Sequence, residues 1–298
     1  MVVILIIAIL AALLMAAISR APTEDARTLT EISQMASAVE AYRMKYGEYP
    51  PLVANTSDAN QDRIRSHLAR AFPRYMLIKG SPNDPVPTLA NLRPDQALVF
   101  WLGGMPVSAD GSATGEGKGT EGFSSDPANP FATTQYGTWS ERRVVAPAGL
   151  QRNEPFFKFD PLRLRVRDPS AGGDARFWVY VPVGKQSSYV YFPADTYGRS
   201  ATAGRPIRHT MSAAGPTHTA VPYRTAPVNN AADLNNTTGW AAPGTFQIIA
   251  AGKDDIFGET GAAADFRIFP SGQNYSTNGY DDDNLTNFSR TPLGRAKP

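Results

Sequence analysis

The chain opens on an unbroken apolar run, Met1 to Ile18 (MVVILIIAILAALLMAAI), and passes at Thr23 into a different pattern. Leu29, Ile32, Met35 or Ala36, Val39, Tyr42 and Tyr46 recur at three- and four-residue steps, a helical period. Glu31, Ser33, Gln34, Glu40, Arg43 and Lys45 fall between them and predict a wet face opposite a dry one. Eighteen residues at about 1.5 Å each span roughly 27 Å, close to the ~30 Å hydrocarbon core of a bilayer. Pro22 predicts a kink or joint between the halves. Gly47 offers a left-handed cap and Pro50-Pro51 forbid continuation. The division is therefore a membrane-spanning half over 1–22, an amphipathic half over 23–47, and a globular body over 48–298. A cleaved signal peptide, with small residues at Ala16, Ala17 and Ala21, and a buried core helix are the competing readings. The first lacks a basic n-region, and the helical pattern runs on past any cleavage point.

In the body, residues 52–78 predict a loop and then a short helix, with Ile64, Leu68 and Phe72 on one face and His67 on the surface. From Ser81 to Gly149 the chain is punctuated by Pro, Gly, Ser and Thr, apart from the patch Ala97 to Leu102 (ALVFWL), so about 80–150 is expected to be a long irregular insertion. Gly115, Gly117, Gly119 and Gly122 resemble a phosphate loop only superficially: no strand leads into them and no helix follows, so a flexible loop is expected. After Pro155 the period becomes two. Phe157, Phe159, Leu162, Leu164 and Val166 alternate with Lys158, Arg163, Arg165 and Arg167 around Pro161, predicting a half-buried strand with its arginines exposed. Arg176 to Val183 and Tyr189 to Phe192 predict two more strands joined through Gly184 to Ser188, hence a small antiparallel sheet and an α+β class. A second irregular insertion is expected over about 196–240. It carries His209 and His218 at no recognised metal or catalytic spacing.

Composition narrows the function. With 298 residues, 25 Gly and 25 Pro, a helical bundle throughout is excluded. With no Cys, disulfides, thiolate catalysis and Cys-ligated zinc are excluded as well. Twenty-nine basic residues against 27 acidic ones give +2, which does not mark a nucleic-acid binder. The local excess over 139–208 sits on alternating strand positions and reads as a solvated face. From Asp254 to Asp283 the balance reverses, with Asp254, Asp255, Glu259, Asp265 and Asp281-Asp282-Asp283 against Lys253 and Arg267. Such a loop is either a solvated turn or a seat for a hard cation such as calcium, though it lacks the EF-hand spacing.

The Ala-rich apolar half, the amphipathic half and the exit Tyr46-Gly47-Glu48-Tyr49-Pro50 resemble the stem of type IV pilin-like proteins, most nearly the major pseudopilin of type II secretion systems. The resemblance extends to a strand ending in Ala251-Gly252-Lys253-Asp254 and to the Asp-rich Leu285-Thr286-Asn287-Phe288 stretch. It implies a pilin-like fold, a long helix packed on a small antiparallel sheet. It also implies a calcium loop with Asp254 and Asp282 as ligands, Asn284 in a third position, Asp283 or Asp281 as substitutes, and backbone carbonyls near Ala250 and Leu285 completing the shell. This sequence begins inside the family's helix, without the basic leader, the cleavage site or the stem glutamate; Met1 is then an internal methionine, with processing by a prepilin peptidase upstream of it.

The function so implied is a structural subunit, not an enzyme. It is anchored single-pass in the bacterial inner membrane with its C-terminal domain in the periplasm, and it packs on other pseudopilin subunits through residues 1–46 and on secretion platform proteins. Two other classes compete: a membrane-anchored periplasmic binding or sensor module, and a hydrolase using the Asp281 to Asp283 carboxylates with a metal.

Overall fold

The computed structural model describes residues 24–53, 57–81, 84–107, 119–132, 151–166, 177–199, 205–212, 215–229, 233–234, 237–261 and 265–296. The apolar run and the joint at Pro22 lie outside them. Among the described residues no helix is long and apolar enough to cross a membrane.

Helix α1 (Glu24–Tyr46) follows the predicted period and buries Ile32, Met35, Ala38, Val39 and Tyr42. Glu24 and Asp25 in its first turn and Arg43 and Lys45 in its last oppose the helix dipole. It stops at Gly47, which takes φ +82° while its N–H reaches Arg43 O at 2.8 Å. Helix α2 (Asp58–Ala71) buries Ile64 and Leu68 as predicted, and also His67. A single turn, α3 (Val86–Leu89), precedes α4 (Pro94–Gly103).

Helix α4 corrects the expected insertion. Every one of its residues is buried. A helix apolar on all sides has no wet face to give it away and belongs in a core; here Pro94 starts it and Gly104 ends it, so the Gly/Pro punctuation marked its borders. Gly122, expected in a flexible loop, is wedged instead: a Cβ there would meet Asn153 O at 2.0 Å.

The strands are short and every ladder is antiparallel. They are β1 (Pro106–Val107) with β2 (Gly119–Thr120), β3 (Leu164–Val166) with β4 (Trp178–Tyr180), and β6 (His209–Met211) with β7 (His218–Ala220). The largest sheet has three strands in the order β5 (Val190–Pro193), β8 (Phe246–Ala250), β9 (Leu285–Thr286). The class is thus α+β, with several small sheets where one was expected. Helix α4 packs on β4 and β5, and α1 packs on β8, β9 and α4. Strands β4, β5 and β8 are buried on both faces, which is why their sequences read as continuous apolar runs.

Three further expectations change. The turn from β4 to β5 forms, with Tyr189 N–H on Tyr180 O at 2.9 Å, but the two strands then diverge to different partners. The strand predicted from Phe157 is mostly not strand: the Asp160 carboxylate accepts from Leu162 N–H at 2.9 Å and turns Pro161–Arg163 into a 3₁₀ helix, leaving Leu162 81% exposed. Within the insertion expected over about 196–240, His209, Met211 and all of β7, together with Tyr223, Arg224 and Trp240, are buried.

Candidate functional site

Two groups of charged side chains tie α1 and the acidic loop to the body. The first is centred on Glu31, placed by its period on the wet face. Its Oε1 accepts from Arg163 Nη1 at 2.6 Å and Tyr180 Oη at 3.0 Å; its Oε2 accepts from Arg163 Nη2 at 2.5 Å and from Tyr189 Oη. Arg163, expected on an exposed sheet face, instead sits over the Tyr180 ring, its Cζ 4.3 Å from the centroid, and donates from Nε to Val181 O at 2.8 Å. Burial, and then the Glu31 charge, push both tyrosine hydroxyls well above their ordinary range. Burial alone would lower the Arg163 pKa, but the Glu31 contacts outweigh it and raise it. These contacts pin α1 to the 3₁₀ turn before β3 and to β4.

The far end of α1 has a second joint. His67, expected on the surface of α2, is 1% exposed because its ring stacks on Tyr42 and meets Trp101 edge-on. Tyr42 Oη and His67 Nε2 are 2.7 Å apart, and Nδ1 contacts Glu48, which also pairs with Arg70. Burial, above all, lowers the His67 pKa. A neutral ring therefore accepts from Tyr42 and donates to Glu48. A cleft of about 650 Å³ opens beside this joint, with Arg43, Arg63, Arg70, Glu48, Asp62 and Asp195 in its walls.

The acidic loop separates the residues expected to share a cation. Asp281 is fully buried and already neutralised: Arg267 Nε lies 2.9 Å away, and Ser276 N, Ser276 Oγ and Tyr223 Oη all donate to its carboxylate. Asn284 is buried too, its Nδ2 donating to Phe257 O at 2.6 Å and Tyr223 Oη at 3.0 Å. The Asp282 carbonyl accepts from Gly294 N–H at 2.6 Å. Asp254 and Asp283 meet: Asp254 N–H donates to Asp283 Oδ2 at 3.1 Å, while Asp283 Oδ1 and Asn284 Oδ1 are buried without a hydrogen-bond partner. Burial, then the Asp283 and Asp255 charges, push Asp254 up to about 6. Burial also raises Asp283. Two carboxylates and an orphaned oxygen suit a hard cation but supply few of the ~6–8 oxygens that calcium takes. Among the described residues no group of three or more His, Cys, Asp or Glu converges as a metal site.

The remaining histidines belong to the core. His209 Nε2 lies 3.1 Å from Asp95 Oδ2, and His218 Nδ1 accepts from Phe257 N–H at 3.0 Å. Together these features define an α+β body with one helix clamped along it at two points. Comparison with protein-family models, with curated proteins and with solved structures returned no match.

Proposed function

We propose that the chain is a pilin-like structural subunit of a type II secretion pseudopilus. Residues 1–22 anchor it in the bacterial inner membrane and then pack against the stems of other subunits, with the body in the periplasm; prepilin peptidase and platform proteins are its other partners. It neither catalyses a reaction nor binds nucleic acid. One observation carries this reading: α1, which follows the apolar run in the sequence, is fixed to the body by Glu31 and by Tyr42–His67 while its opposite face stays open. On that face Thr30 and Ser37 return their hydroxyls to Ala26 O and Ser33 O, so neither needs a partner from another helix. A calcium ion on Asp254 and Asp283 would reinforce the loop behind it. Because the sequence has no Cys, single cysteines at Leu5, Ile9 and Leu13 test the reading cleanly. Oxidised, membrane-extracted protein should give crosslinked ladders; neither ladders nor filaments would overturn it.

The cleft of about 650 Å³ favours a second reading, a membrane-anchored binding or sensor module. That version predicts a monomer indifferent to Ile7→Asp, with ligand binding retained by residues 24–298.

A further inference from the structure

We infer that Lys185 is a built-in counter-cation for the acidic loop, holding Asp254 and Asp283 in place without a bound metal. Although a lysine, its side chain is only 13% exposed. Its Nζ donates to Lys253 O at 3.0 Å, and the other end of that same peptide unit, Asp254 N–H, donates to Asp283 Oδ2 at 3.1 Å. The peptide is therefore sandwiched between an ammonium and a carboxylate, each polarising it toward the other. The turn carrying Lys185 is clamped in register: Gln186 N–H and Ser187 N–H both donate to the Asp255 carboxylate, at 2.8 and 3.0 Å, and Ser187 Oγ donates to Asp255 O at 2.6 Å. Glu24, 3.9 Å from Nζ, and Asp25, 3.7 Å from Lys253 Nζ, bring the start of α1 to the same place. Glu24 and Asp25 thus join Asp254 and Asp283, on both of which the Lys185 charge acts, around two ammonium groups. Lys253 is 64% exposed, so Lys185 alone is held against the loop. A tethered ammonium does by proximity what a divalent ion does by coordination, and it makes calcium an addition to the loop instead of its foundation.

The inference rests on the proposed cation seat at Asp254 and Asp283, not on the pseudopilus, so stem crosslinks and this result can fail independently. The test is tryptophan-fluorescence melting of the full chain in detergent micelles, in 1 mM calcium and in EGTA. The unsubstituted chain should melt within about 1 °C under both conditions. Lys185→Met should melt about 2 °C lower in EGTA, with calcium restoring most of the loss, a shift of the size that about 1 kcal/mol produces in a chain this long. Lys253→Met should behave like the unsubstituted chain. A large calcium response in the unsubstituted chain, an unchanged Lys185→Met in EGTA, an equal loss with and without calcium, or an equal effect of Lys253→Met would each overturn the inference.

Discussion

Glu31 and the Asp254–Asp283 pair both lie where α1 meets the body, and they are provided for in opposite ways. Each oxygen of Glu31 receives two donors, from Arg163 and a tyrosine. The aspartate pair has two negative charges, backbone N–H donors and one buried orphan oxygen. A fully satisfied carboxylate is a fixed joint, because any movement of α1 leaves a charge with too few partners. An under-satisfied pair sets no such constraint, and its position depends on whatever cation stands nearby. Asp281 shows that proximity in sequence does not decide which rule applies: two residues from Asp283, it is as completely satisfied as Glu31.

The comparison breaks first at Arg267. If satisfied charges are the fixed joints, Arg267→Leu leaves Asp281 buried and uncompensated and should cost about 3–5 kcal/mol in urea unfolding. A cost below about 1 kcal/mol would mean that Asp281 can find water or a proton instead. Next comes Glu31→Gln, which keeps the shape but leaves one acceptor oxygen for four donors, with an expected loss of about 2 kcal/mol. Combined with Arg163→Gln the loss should fall well short of the sum of the two single losses, since each substitution alone strands the other partner. Strict additivity would show that α1 is held by its apolar face alone.

How much of this was legible in the sequence follows from how each element announces itself. Helix α1 was, because one dry face and one wet face leave a period, and so were the Gly47 stop and the strands at Trp178 and Val190. Helix α4 was misread as part of an insertion because full burial erases the period. His67 and Glu31 were misplaced for a related reason: polar residues on a helix default to solvent unless a partner distant in sequence is known, and Arg163 is 132 positions from Glu31. Two signals were available. Tyr180 and Tyr189 stand in or beside apolar strands, and a buried phenol requires a hydrogen-bond partner. In the acidic run the Asp codes were visible but their fates were not, since Arg267, Ser276 and Tyr223 select Asp281 only in three dimensions.

The smallest effect sharpens the comparison most, because its sign is the reverse of the others. The folded chain holds the Asp254 carboxyl at about 6, against an ordinary 3.8, through burial first and the neighbouring Asp283 and Asp255 second. The fold therefore keeps a proton that the unfolded chain releases. The favourable contribution is whole below about 3.8 and is lost as pH rises through about 6, and the deficit persists above that. Asp254→Asn removes the charge while keeping an oxygen for Ile256 N–H, which Asp254 Oδ1 accepts at 2.8 Å. It should raise stability at pH 7.5 by up to about 1 kcal/mol, the scale of partly exposed charge interactions, and change little at pH 4. A loss at pH 7.5 in EGTA would place Asp254 with Glu31 and Asp281 among the satisfied joints. The contrast between the two regions would then lie in Asp283 alone.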